Sequence, residues 1–133
     1  AINDGHIKLF IKDTMRPILG INDLCEAVRH ILASDEDKRG LYNLASFNKT
    51  AEQIAYEVAN VMGVQVHEFE ADPTQIKNTK NQTKAYNFSI STLKFRREFG
   101  FKFKDTVESL ATELRDRWND MKKTDRSEVI DYE

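Results

Sequence analysis

The sequence predicts an α/β fold in which short, mixed strands alternate with four helices. Three observations carry this expectation. Apolar residues recur at helical spacing after Asn22. A capping box is spelled by Thr50 and Gln53, with Gly63 placed to stop the helix it opens. Stretches of period-two alternation fall between the helical patterns. Strands that alternate with helices favour at least some parallel pairing.

Taken in order, Gly5 to Ile11 alternate as a strand, and Arg16 to Ile21 offers a second short extended segment. Asn22 is a suitable N-cap for a helix whose Leu24, Ala27, Val28, Ile31 and Leu32 share one face. A charged loop, Ser34 to Gly40, leads to Leu41-Tyr42-Asn43-Leu44-Ala45, expected as a buried strand. The second helix runs from Thr50 through Ile54, Ala55, Val58, Val61 and Met62 to Gly63, and Val64 to Phe69 then alternates as a strand. Asp72 to Lys84 has little periodicity and reads as a loop or a loose helix, while Ala85 to Ile90 reads as a short strand. A third helix spans Ser91 to Phe99 and stops at Gly100. In the fourth, Asp105 and Glu108 frame the start, and Val107, Leu110, Ala111, Leu114 and Trp118 form the apolar stripe. Residues 1–121 read as one domain and 122–133 as a polar, frayed tail.

Composition narrows the function classes. With 40% hydrophobic and 32% charged residues in 133, the chain can bury a core and is not disordered throughout. A net charge of -2 supplies no bulk field toward nucleic acid or an anionic membrane, so any anion must be held locally. The apolar runs are short and the amino end lacks a signal-peptide pattern, from which a cytoplasmic protein is expected. Cys25 is alone, which excludes an internal disulfide and a cysteine-based zinc site. The chain does not open on Met, in keeping with a fragment or a processed chain.

The glycines, Gly5, Gly20, Gly40, Gly63 and Gly100, are too scattered to build a dinucleotide or phosphate loop. Tyr42, Tyr56 and Tyr86 are followed four residues later by Ser46, Asn60 and Ile90, so no Tyr-Lys proton-transfer pair exists at helical spacing. His6, His30 and His67 are far apart and read as surface or partly buried residues, not as metal or catalytic groups. Arg16, beside Pro17 and shortly before a helix start, has the planar fork that a phosphate accepts; a surface pair with Asp13 is the ordinary alternative. Lys77, Lys80 and Lys84 among Asn78, Asn81, Gln82 and Thr83 could form an anion-binding lid or a solvated loop.

The run Arg16-Pro17-Ile18-Leu19-Gly20-Ile21-Asn22-Asp23-Leu24-Cys25-Glu26-Ala27 resembles the Arg-Pro-x-x-His-Val-x-Asp-Leu-x-x-Ala segment of extended short-chain dehydrogenases/reductases of the nucleotide-sugar epimerase/dehydratase type. Gly40 to Ser46 resembles that family's Gly-x-Tyr-Asn-Leu-Gly-Ser strand, and Thr50 to Ala55 its next helix start. Phe95 to Lys104 is similar to its Arg-Glu-Leu-Gly-Phe-x-Pro-Lys signature, and Thr106 to Leu110 to its final helix. The resemblance implies the carboxyl-terminal part of a Rossmann-like enzyme, with the NAD(P) loop and the Tyr-Lys pair in a missing amino-terminal domain. No cofactor is then expected in this chain, and NAD or NADP in the longer parent. It also implies substrate contacts at Arg16, which would hold a diphosphate, and at Lys84 before Tyr86, with Asn22 beside them. Pairing as a homodimer is common in the family. Gly20 stands for the usual His, Lys84 for Arg, Ala45 for Gly and Phe103 for Pro.

The expected function is therefore the nucleotide-sugar-binding portion of an NAD(P)-dependent epimerase, dehydratase or reductase, not competent for catalysis alone. The alternative is a non-catalytic ligand- or partner-binding module.

Overall fold

The computed structural model describes residues 5–10, 12–34, 38–69 and 87–123. In chain order they form β1 (His6–Leu9), β2 (Met15–Ile18), α1 (Ile21–Leu32), β3 (Phe47–Thr50), α2 (Ala51–Met62), β4 (Gln65–Glu68), α3 (Leu93–Phe99) and α4 (Val107–Lys123). The strands pair in two small sheets. β1 lies parallel to β4, with His6 opposite Gln65 and Leu9 opposite Glu68. β2 lies antiparallel to β3, with Arg16 opposite Lys49 and Ile18 opposite Phe47. The described residues thus form four helices and short mixed strands.

Helix α2 forms as its sequence dictates. The Thr50 hydroxyl accepts from the Gln53 N–H, the Gln53 side chain accepts from the Thr50 N–H, and Gly63 takes the left-handed φ of 65° at the other end. The next N–H groups find backbone partners: Ala51 donates to the Thr14 carbonyl at 3.0 Å and Glu52 to the Lys12 carbonyl at 3.1 Å. The link between β1 and β2 therefore caps α2. An aromatic core cluster forms where Ala27 of α1 meets Phe95 of α3 and Phe101, all three buried. Phe95 sits 4.8 Å from Phe99 and 5.3 Å from Phe101, ring to ring, and Phe103 and Tyr42 complete the aromatic cluster. The Phe-rich run around Gly100 is a packing device, turned at Gly100 with φ 61°.

Helix α1 starts two residues earlier than an N-cap at Asn22 predicts. Its N-cap is Gly20, which has no side chain to offer, and Asn22 lies inside the first turn. The cap comes from far along the chain: the Asp105 carboxylate accepts from the Asp23 N–H at 3.0 Å. Asp23 reciprocates, accepting from the Lys104 N–H at 2.8 Å and the Asp105 N–H at 2.9 Å. Both carboxylates are buried, 3% and 9% exposed. A negative charge at a helix N-terminus is favoured by the helix dipole as well as by these bonds. The clasp also accounts for the glycine at position 20, since a Cβ there would stand 2.0 Å from an Asp105 carboxylate oxygen. Asp105 is consequently not the cap of α4; Thr106 and Ser109 fill that role, each hydroxyl accepting from the other's N–H.

Two expected strands are not strands. Leu41–Ala45 carries no ladder, because no described strand lies beside it, and Leu41 is 87% exposed. It is held by side chains: Lys94 donates to the Leu41 carbonyl at 3.3 Å, and the Tyr42 hydroxyl to Glu98. The neighbouring strand forms instead at Phe47–Thr50, where β2 supplies partners. Residues 87–90 likewise run without a ladder; Asn48 exchanges two side-chain hydrogen bonds with the Ile90 backbone, and Asn87 accepts from the Met15 N–H. Side-chain amides replace the peptide partners that a strand would need. The expectations for Asp72 to Lys84, for Tyr86 and for the tail beyond 123 lie outside the described residues.

Loss of the clasp should be costly. Asp23→Ala strands two backbone N–H groups and is expected to lower unfolding free energy by about 2 to 4 kcal/mol. Gly20→Ala, which drives a methyl into Asp105, is expected to cost about 1 to 3 kcal/mol. Urea unfolding followed by circular dichroism reads both, and a change within about 0.5 kcal/mol for either, the range of ordinary surface substitutions, contradicts the assignment.

Candidate functional site

A groove of about 560 Å³ lies where β1, β2 and α2 meet. From α2 come Ala51, Ile54, Ala55 and Val58, one face at i, i+3, i+4 and i+7. Ile7, Leu9 and Ile18 add to this apolar wall, and His6, Lys8 and Arg16 supply its polar groups. All four residues of β1 contribute, so the groove runs along the edge of that strand. Three side chains that are or can become cationic, set against an apolar wall, suit a ligand with an anionic group and a flat or apolar body.

Arg16 is half-buried, and its Nη1 stands 3.5 Å from the Met15 carbonyl, the outer limit of a hydrogen bond. Pro17 follows it in β2, whose fixed φ helps keep that strand extended. Asn22 is elsewhere: its amide donates to Asp105 and Glu113, each at 3.4 Å, and it does not line the groove. Lys84 and Tyr86 lie outside the described residues. The sequence reading did not assign His6, Lys8, Ile54 and Val58 to a site. The alternation of residues 5–11 marks His6 and Lys8 as one side of a strand, but the pairing with β4 decides where that side faces.

The elements around the groove are braced at one corner. Glu68 of β4 accepts from the Tyr56 hydroxyl of α2 at 2.9 Å and from the Lys12 ammonium. These donors, Lys12 first and Tyr56 second, hold the Glu68 carboxyl below its ordinary range. The same bonds to Glu68 raise the Lys12 ammonium and the Tyr56 phenol above theirs.

A second cavity, of about 530 Å³, opens at the carboxyl end of α1 between Arg29, His30, Lys38 and Glu98. Its charges are already engaged: Arg29 pairs with Glu26 at 3.0 Å, and Lys38 donates to the Glu98 carbonyl. The described residues gather no cluster of three or more His, Cys, Asp or Glu for a metal. Gly63 and Gly100 take left-handed φ at the carboxyl ends of α2 and α3. No helix among the described residues is long and apolar enough to cross a membrane.

No protein-family model and no curated protein sequence matches the chain. Solved structures do match it in fold. RMD from Pseudomonas aeruginosa, solved with NADPH, superposes with a TM-score of 0.64 at 14% identity over 89% of this chain and 37% of its own. A GalE-like L-threonine dehydrogenase from Cupriavidus necator gives 0.59 at 20% identity, covering 86% of this chain and 41% of its own. A monomeric L-threonine 3-dehydrogenase from a metagenome gives 0.62 at 16%, covering 91% and 39%. The chain spans about two fifths of the length of these enzymes, and its fold is part of theirs.

The Glu68 brace carries a pH signature. A carboxyl held below its unfolded value stabilises the fold above about pH 4, and that contribution is lost as pH falls through the folded value. Lys12 and Tyr56 are raised, so their contributions are present below about pH 10 and are lost as pH climbs through their folded values. Glu68→Gln should therefore lower Tm modestly at about pH 7, with the gap to the parent chain closing by about pH 3. An unchanged gap across that range contradicts the network.

Proposed function

We propose that this chain is the substrate-holding, carboxyl-terminal part of an NAD(P)-dependent epimerase, dehydratase or reductase that acts on a nucleotide-sugar. Arg16 on the rim of an apolar-walled groove is the observation that carries this reading. A guanidinium fork presents paired donors to a diphosphate, and Ile54, Ala55 and Val58 offer a surface for the nucleoside or the sugar. The likeness to an enzyme solved with NADPH supports an oxidoreductase parent, and glycines too scattered for a dinucleotide loop are in keeping with a cofactor held elsewhere. In such a parent this chain positions substrate and excludes water, while the nicotinamide supplies hydride transfer from the other domain.

The surface supports a chain continued by another domain. Ile21, Val28, Ile31 and Leu32 of α1 are exposed, and Leu41 stands 87% exposed on a segment with no described strand beside it. Apolar surface of this kind is normally covered. A self-sufficient, non-catalytic module would use the same groove but leaves this face unexplained. L-threonine dehydrogenases recur among the similar structures, so L-threonine is the natural competing ligand.

Titration of the 133-residue chain with UDP-glucose, followed by NMR, tests the assignment. Arg16→Ala removes charge-assisted hydrogen bonds worth about 1.5 to 3 kcal/mol and should weaken binding about ten- to a hundred-fold. Arg16→Lys should restore only part, since charge returns without the fork. Tm should hardly move. Lower Tm with unchanged UDP-glucose affinity would retire the phosphate clamp, and tighter binding of L-threonine than of UDP-glucose would retire the nucleotide-sugar.

A further inference from the structure

Among the described residues, the groove is lined by the basic side chains His6, Lys8 and Arg16 and by no carboxylate, in a chain where 22 acidic residues outnumber 20 lysines and arginines. His6 is already engaged, stacked on His67 with ring centroids 4.9 Å apart. Lys8 is different. It stands exposed in β1 and makes no hydrogen bond or ion pair among the described residues. Its neighbour across the ladder is His67, and Glu68, one position further along β4, is already held by Lys12 and Tyr56. Lys49 of β3, by contrast, has a partner in Glu57. The Lys8 ammonium is therefore not neutralised by a neighbouring carboxylate, and the pairing of β1 with β4 fixes where it is carried.

Lys8 and Arg16 come from strands of different sheets, β1 and β2, yet line one groove. Two cations so carried suit two linked negative groups, because each phosphate of a diphosphate ester bears its own charge, whereas a monophosphate or a carboxylate gathers its charge at one end. A zwitterion such as L-threonine would bring an ammonium into a lining that holds cations and, among the described side chains, no acidic acceptor.

We propose that Lys8 is a second anion contact of the groove, and that with Arg16 it selects a diphosphate ester over monophosphates and amino acids. This role rests on the groove being the ligand site, as argued under the proposed function.

Calorimetric titration of the 133-residue chain with UDP-glucose and with uridine 5′-monophosphate tests the assignment. Lys8→Gln should weaken UDP-glucose binding about three- to ten-fold, a loss scaled to an exposed cation, and change uridine monophosphate binding by less than about two-fold. Lys8→Arg keeps the charge and should bind UDP-glucose as the parent chain does. Added salt should weaken UDP-glucose binding less in Lys8→Gln than in the parent chain. Unchanged UDP-glucose affinity in Lys8→Gln, beside the loss expected for Arg16→Ala, overturns the role of Lys8 and leaves the Arg16 reading standing. An equal loss for both ligands in Lys8→Gln overturns the selection of a diphosphate. Absence of UDP-glucose binding to the parent chain overturns both readings.

Discussion

Two buried aspartates, each accepting backbone N–H groups from the other's segment, join the start of α1 to the approach to α4. The residues involved are more than eighty positions apart, and the bond pattern fixes both ends at once. Asp105 supplies the charge that the α1 N-terminus favours, and Asp23 satisfies the N–H groups that would otherwise be buried and unpaired at Lys104 and Asp105. With α1 and the 101–106 segment so related, Ala27 is brought against Phe95 and Phe101, and the aromatic cluster closes. The glycine at position 20 is a steric condition of this arrangement, because any side chain there would occupy the space of the Asp105 carboxylate.

The candidate site depends on a separate set of bonds that meets the first along β2. The segment linking β1 and β2 gives its carbonyls to the α2 N-terminus, and Lys12 from the same segment holds Glu68 of β4. β1, β4 and α2 are thereby locked together beside β2, which runs on through Gly20 into α1. Arg16 is carried on that strand and so inherits its position from both halves of the fold. A charged side chain placed by rigid strands and a capped helix suits the holding of an anion better than one carried on a loop.

What was legible in the sequence was local chemistry. Thr50, Gln53, Gly63 and Gly100 announce the ends of α2 and α3, because caps and left-handed turns involve neighbours in sequence. The α1 start was misread because its cap comes from Asp105, which no local pattern reveals. Leu41–Ala45 was misread for the opposite reason: its composition suits a strand, but a strand also needs a neighbour, and none is described beside it. Arg16 was legible as a candidate from its residue type and its place beside Pro17. The rest of the groove was not, since His6, Lys8, Ile54 and Val58 come together only through parallel pairing of β1 with β4 and the packing of α2.

The central claim is that this chain holds a nucleotide-sugar at the Arg16 groove and leaves the nicotinamide to another domain. Residue-resolved amide NMR of the 133-residue chain, titrated separately with UDP-glucose and with NADPH, addresses it most directly. The account predicts shifts at His6 to Leu9, Arg16 and Ile54 to Val58 with UDP-glucose, and none with NADPH. Saturable NADPH shifts at those residues, or UDP-glucose shifts confined to the Arg29–Lys38 cavity, would contradict it.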